Sequence, residues 1–407
     1  MTKTVLMISP GFPVEQPFFT RGLAQTGAHV LGLGDQAEHD LPPIARESLS
    51  AYIQVPSFSD ESAIMHRVLE AAQKVRIDQV ECTWEPYMTL AAQIRERLGL
   101  PGMSVAQTLP FRDKEIMKQV LDRHGIRTPR HFSTTTADGV RQAAHEIGFP
   151  VCVKPIAGAG SADTYRVDNA DVLEQVLPRL RHVAEVSVEE FIEAEEFTFD
   201  TICVDGEIKY FNICRYRPRP LIGRQNEWIS QQTIALKDVD SPDLKSGREM
   251  GFAVIKALGF QTGFTHMEWY RKADGEAVFG EIGARPPGAN TVELMNYACD
   301  IDTFRGWGEA VIHHQFSQPI VRKYNCASIF KRAQGQGRIR HIEGLEKLMY
   351  EYGEHVCVVD LLPIGAPRRN WLQTLRSDGM IIVRHPDYAT VCEIADQFGI
   401  RLQLYAG

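Results

Sequence analysis

The chain has 407 residues, 44% of them hydrophobic and 24% charged, with a formal net charge of -8 at pH 7. That length accommodates about two or three domains of roughly 100–200 residues each. The acidic balance excludes a global basic field of the kind that draws proteins to nucleic acid or anionic membranes, so any anion site must be local.

At the N-terminus, MTKTVLMISPGFP is apolar only over Val5–Ser9 before Pro10 and Gly11. This is too short for a signal segment or a membrane span, and a cytoplasmic protein is expected. Eight cysteines are widely spaced with no C-x-x-C pair, and are expected to be reduced and structural. Val5–Ser9, a helix-like stretch to about Thr26, and a second apolar run at Ala28–Leu33 read as the β-α-β opening of a parallel sheet. The first turn, Ser9-Pro10-Gly11-Phe12-Pro13, has no G-x-G-x-x-G, and Gly32-x-Gly34 comes only after the second strand. A generic α/β domain therefore fits better than a dinucleotide-binding one.

The character changes near Pro110. RDKEIMKQVLDRHGIRTPR (112–130) has helical periodicity and ends in Gly125 and Pro129, as helix stops should. Further on, FPVCVKPIAGAGSADTYRV (149–167) reads as a buried strand ending at Lys154-Pro155, a loop Gly158-Ala-Gly160-Ser161, and another strand. Such a loop lets backbone N–H groups approach phosphate while the lysine adds a point charge. It is not a Walker A loop, and a plain hairpin turn is the alternative. Asp205-Gly206 marks a hairpin whose register places Asp200 opposite Phe211 and Glu196 opposite Arg215. Arg215, Arg217, Arg219 and Arg224 follow, either a solvated basic loop or an anion-binding one.

A second hairpin, Phe264–Arg271 and Glu276–Ile282 around Asp274-Gly275, pairs Ala273 with Glu276, Tyr270 with Phe279, and Glu268 with Glu281 if the turn has two residues. Cβ atoms of such a pair lie about 4.5–5.5 Å apart, and like charges there are destabilising. A shared proton, a hard divalent cation or plain solvent exposure could resolve the conflict. Arg285, four residues beyond Glu281, favours the cation. It points to the same face if the strand persists, and phosphoryl transfer uses an arginine beside a carboxylate-bound metal. From about residue 316 to Gly407 the chain holds short strands and one or two helices, with turns at Gly335-Gln-Gly337 and Gly365-Ala-Pro367.

Together these stretches resemble the ATP-grasp superfamily of carboxylate–amine ligases, over nearly the whole chain. The resemblance implies a mixed α/β and α+β fold. A Rossmann-like N-terminal α/β domain (1–110), a two-lobed ATP-grasp clamp (111–315) and a small C-terminal α+β domain (316–407) are expected. It implies that Lys114, Lys154 and Gly158, Gly160 and Ser161 bind the ATP phosphates. Glu189 and the backbone of Phe191 and Ile192 would take adenine, and Glu196 the ribose. Glu268 and Glu281 would hold Mg²⁺, or Mn²⁺ in its place, with Arg285, Lys154 and Asn290 acting on the transferring group.

The family's usual E-x-N-x-R is broken here by Gly283 at the asparagine position. His266, Asn290 or water could replace that ligand, water most simply. Pro286-Pro287-Gly288 would end the strand so that Arg285 and Asn290 face the γ-phosphate. The implied activity is ATP-dependent amide formation between a small carboxylic acid and an amine such as an amino acid, through an acyl phosphate. Specificity would lie in Arg215, Arg217, Arg219, Arg224, Trp228, Gly288, the 290–296 stretch and the first domain. The alternatives are a catalytically silent ATP-binding protein and a carboxylating enzyme of purine-biosynthesis type. No nucleic-acid or membrane partner is expected, and an exposed face on the first domain leaves room for a homodimer.

Overall fold

The protein is described by a computed structural model covering residues 2–156, 163–371, 374 and 376–407. The glycine loop named above, Gly158, Gly160 and Ser161, lies outside the described residues.

Strands β1 (Thr4–Ile8), β2 (His29–Gly34), β3 (Ala51–Gln54) and β4 (Gln79–Glu81) form a parallel sheet in the order β3-β2-β1-β4. Val5 to Ile8 are fully buried, as expected for a parallel strand covered on both faces. From the helix Gln16–Ala24, Phe19 packs edge-on against Phe304, Trp307 and Phe264, with ring centroids 4.8, 5.3 and 6.0 Å away. One apolar core thus joins this sheet to residues around 264–330. The first unit is fixed against the rest of the molecule.

A second sheet, β5 (His131–Thr134), β6 (Val151–Pro155), β7 (Tyr165–Val167) and β8 (Val186–Glu190), is antiparallel in the order β5-β8-β6-β7. The alternation in VCVKP decides what this lobe presents. Val151 and Val153 enter a core with Ile147 and Val176. Cys152 and Lys154 point the other way, with Glu189 and Ser187 opposite them in register.

The large sheet contains β9 (Glu195–Val204), β10 (Glu207–Asn212), β11 (Cys214–Arg217), β12 (Gln232–Ala235), β13 (Gly263–Arg271) and β14 (Ala277–Gly283). It continues through β15 (Asn325–Lys331). β16 (Gln334–Gly335), β17 (Ile339–Glu343) and β20 (Gln403–Ala406) form a separate small sheet, while β18 (Val356–Leu361) and β19 (Gly379–His385) complete the large one. Its order is β14-β13-β9-β11-β12-β15-β19-β18, with β10 paired to β9. Because β15 pairs with β12, the hydrogen-bonded sheet runs without interruption across residue 315.

Register divides this sheet into two chemically different faces. Phe197, Phe199, Met267 and Trp269 lie on one, packed against the helix Lys245–Ala257. A Cβ on Gly247 would lie 2.1 Å from the Trp269 ring, and one on Gly251 2.5 Å from Phe199. These two glycines, one helical turn apart, are what let the rings lie flat on the helix. The opposite face carries Glu196, Asp200, His266, Glu268 and Tyr270, with Glu281 alongside.

Candidate active site

Glu268 and Glu281 are cross-strand partners, as read from the sequence, and so are His266 and Gly283. The route to that register is different. Lys272 N–H donates to Glu276 O and Gly275 N–H to Lys272 O, so the turn holds one residue more than a two-residue hairpin. Tyr270 therefore faces Val278, not Phe279. The register then shifts between Glu268 and Trp269, and this bulge at Gly280 restores the alignment of the two glutamates. A Cβ on Gly280 would meet Glu268 O at 2.8 Å, so only glycine fits the bulge.

The first hairpin also departs from expectation. A register shift between Ile208 and Tyr210 puts Asp200 opposite Asn212 and Arg215 opposite Phe197, correcting the pairing with Phe211 and Glu196. Glu196 does meet a cation, but it is Arg219, at 2.9 Å, while Arg215 pairs with Glu195.

Above the acidic pair lies a layer of lysines. Asp113 caps the helix Lys114–Arg123 by accepting from the Glu115 and Ile116 N–H groups, which fixes Lys114 at its first turn. Lys114 Nζ is 3.3 Å from Glu281. Lys118, one turn on, is fully buried and ion-paired with Glu189, and Lys154 reaches the same carboxylate at 3.0 Å. Burial opposes ionisation of Glu189, but the two lysines outweigh it and hold its pKa far below the usual range. Burial and the neighbouring lysines lower Lys118 despite its bond to Glu189. Glu281 is likewise drawn down to about 2: burial is overcome by Lys114, Lys154 and Arg285. Lys114, Lys154 and Arg285 thus oppose the repulsion within the acidic pair. Lys118 was not singled out in the sequence, although its i,i+4 spacing from Lys114 was the available signal.

The lobe junction holds Phe191, whose ring lies under Arg166 (4.5 Å) and Arg219 (5.1 Å). The Phe191 N–H donates to Pro150 O, and Ile192 O accepts from Arg219. Glu196, buried between these groups, is pushed up to about 7 by burial and by Glu268, against the opposing pull of Arg219. A cavity of about 70 Å³ is lined by Lys114, Lys154, Glu189, Phe191, Glu196, Glu268 and Glu281 among others.

On the other side of the acidic pair is a cavity of about 620 Å³, lined by Glu268, Glu281, His266 and Arg285 together with Glu15, Trp84, Glu85, Tyr216, Arg224 and Gly288. Tyr216 OH donates to Glu268 at 3.3 Å. Arg285 Nε donates to Glu85 at 2.7 Å, and Arg112 holds the same carboxylate. The first unit thus supplies Glu85 and Glu15, which sequence spacing could not reveal. β14 ends at Gly283, so Arg285 does not continue it but folds back; a Cβ at 283 would lie 3.2 Å from Arg285 Cγ. The asparagine of the family pattern would crowd this arginine.

His266 Nδ1 lies 2.6 Å from buried Asp200 and Nε2 3.6 Å from Glu268. Burial lowers its pKa but Asp200 raises it more, to about 9. Asn290 and Ala289 both have φ above +50°. The Asn290 side chain turns to Glu293 at 2.9 Å, and its N–H donates to Glu15, so it does not join Arg285. Arg215, Arg217 and the exposed Trp228 line a separate groove on the far side of the sheet. Arg217 pairs there with Asp396 at 3.0 Å. Strand parity accounts for this, since Tyr216 between them takes the cavity face.

Among the described residues no three His, Cys, Asp or Glu side chains form a metal cage. Two carboxylates in a pocket that also presents Lys114 and Lys154 suit a hard cation that completes its coordination from phosphate and water. No helix among the described residues is long and apolar enough to cross a membrane.

Two antiparallel sheets that bring Lys114 and Lys154 to the paired glutamates of the larger one define a clamp of the ATP-grasp kind. Family models for the ATP-grasp N-terminal domain and the ATP-grasp domain match residues 24–102 and 119–304, and the chain belongs to the ATP-grasp superfamily. The L-arginine-specific L-amino acid ligase of Bacillus subtilis is 26% identical over 251 residues, 59% of each chain. Alanine–anticapsin ligase of Bacillus subtilis (strain 168) is 24% identical over 267 residues, 60% of this chain and 55% of that one. The chain thus spans less than two thirds of the length of these curated relatives. In fold it is similar to an L-amino acid ligase from Bacillus licheniformis, with a TM-score of 0.81 at 20% identity over 100% and 99% of the two chains. It is also similar to N5-carboxyaminoimidazole ribonucleotide synthetase from Thermotoga maritima, with a TM-score of 0.74 at 18% identity over the whole of both chains.

Proposed function

We propose that the protein is an ATP-dependent carboxylate–amine ligase that makes an amide bond through an acyl phosphate. One observation carries this reading: Glu268 and Glu281 line both the smaller pocket, which holds Lys114 and Lys154, and the larger cavity, so a phosphoryl group leaving one compartment enters the other beside them. The acid's oxygen attacks the γ-phosphorus and ADP leaves. The amine nitrogen then attacks the acyl carbon, expelling phosphate and losing a proton.

In this reading Lys114, Lys118 and Lys154 hold the phosphates, the cradle now neutralised by Glu189 and Glu281. Phe191, Ile192 and Glu196 form the nucleoside end. Glu268 and Glu281 would hold Mg²⁺ or Mn²⁺, which would neutralise charge on the transferring group. Arg285, anchored by Glu85, holds the transferring phosphoryl, and the substrates occupy the 620 Å³ cavity. Asn290 acts indirectly, shaping the cavity floor through Glu15 and Glu293. Residues 1–110, 111–315 and 316–407 would serve as substrate-side wall, clamp and support respectively.

The test is incubation with ATP, Mg²⁺ and pools of amino acids, with phosphate release as readout. Release that requires an added acid is expected. Release dependent on bicarbonate alone would point to carboxylation, and no release with any pool to a silent nucleotide-binding protein.

A further inference from the structure

The other arginines of the large sheet and the segments beside it have distinct partners. Arg215 is bound to Glu195, Arg217 to Asp396 and Arg219 to Glu196. Arg285 holds Glu85, Arg368 holds Glu227 and Asp378, and Arg332 gives Nη1 to the carbonyls of Gly223 and Asn226 at 2.8 and 2.9 Å. Arg224 differs. It sits half-buried on the short helix Pro220–Gln225 and lines the cavity that also holds Glu268, Glu281 and Arg285. Among the described residues it has no ion pair and donates no hydrogen bond. Burial lowers its pKa, and its charge opposes that of Arg332.

A guanidinium held half out of water without an anion costs solvation free energy that nothing in the described residues offsets. It is also a preorganised fork for a carboxylate. In the amide-forming reading the reacting carboxylate of the acid lies beside Arg285 and the acidic pair. About 620 Å³ leaves room for a second small molecule beside it.

We propose that Arg224 binds the carboxylate of the incoming amine substrate, and so selects an amino acid over an amine that lacks one. The assignment rests on the amide-forming reading above. Arg224 positions this substrate and does not touch the transferring phosphoryl group.

The experiment uses the amino acid that best supports ADP release and its own carboxamide, each tested as the amine with the wild type, Arg224→Lys and Arg224→Gln. The wild type is expected to favour the amino acid through KM. Arg224→Gln raises KM for the amino acid about 10- to 100-fold, leaves the carboxamide KM in place, and so brings the two together; Arg224→Lys keeps part of the preference. A preference unchanged in Arg224→Gln, or a KM rise for the phosphorylated acid in place of the amine, overturns the assignment. Two readouts separate this from failure of the parent reading. Hydroxylamine given to the wild type in place of the amine traps an acyl phosphate as hydroxamate, and no hydroxamate refutes the amide-forming reading. Calorimetric binding of the amino acid and of its carboxamide, with an ATP analogue and Mg²⁺ present, tests Arg224 without turnover. Amino-acid affinity that is equal in wild type and Arg224→Gln overturns the role given to it.

Discussion

The two faces of the large sheet are built from alternate residues of the same strands, yet they obey opposite rules. On the back, Phe197 and Trp269 stack with centroids 4.8 Å apart, both fully buried, over the glycines of the helix Lys245–Ala257. On the front, Glu196, Glu268 and Glu281 crowd one patch, held by Lys114, Arg219 and Tyr216. The back face is stabilised by apolar area removed from water. The front face carries like charges whose mutual cost the back face must outweigh, so stability and chemistry are separated by strand parity alone.

Substitutions on each face should separate the two roles. The largest effect is expected from Glu281→Gln, which should lower kcat by about 10²–10³-fold or more with an unchanged circular dichroism spectrum; retained turnover would remove Glu281 from the chemistry. Trp269→Ala should do the reverse, costing about 3–5 kcal/mol in urea unfolding while molecules that stay folded keep their KM for ATP. A loss of nucleotide affinity at equal folded fraction would show that the faces are not independent. Gly283→Asn, which restores the family pattern, should press on Arg285 and raise KM for the acid about tenfold; improved turnover would mean that the folded-back arginine is not the working one.

The smallest effect is a pH dependence. Glu196 titrates near 7 in the folded protein, above the ordinary carboxyl value, because burial and Glu268 outweigh Arg219. The folded state therefore holds this proton more tightly, so its contribution to stability is complete below about pH 4.5 and is lost as pH rises through about 7. Glu196→Gln should flatten that part of the melting-temperature profile; an identical slope in both proteins would place the titration elsewhere.

Much of this was legible in the sequence. Apolar runs marked β1 and β2, the D-G turns marked both hairpins, and alternation in VCVKP marked the face of Lys154. What escaped were single-residue irregularities. An extra turn residue after Arg271 and a bulge at Gly280 compensated one another, so the glutamate pair was reached through the wrong intermediate register. An uncompensated bulge near Lys209 moved Arg215 away from Glu196. A glycine within a strand run is the one signal for the first of these, and Lys209 carries none. Glu85 and Glu15 come from another unit, and contacts of that kind have no local signature.

The central claim is that one phosphoryl group crosses at the acidic pair onto a substrate carboxylate. An acid labelled with ¹⁸O in its carboxyl group, supplied with ATP, Mg²⁺ and the amine, tests this directly by mass spectrometry of the released phosphate. Phosphate carrying one ¹⁸O atom from the acid is predicted; unlabelled phosphate accompanying product would contradict the account.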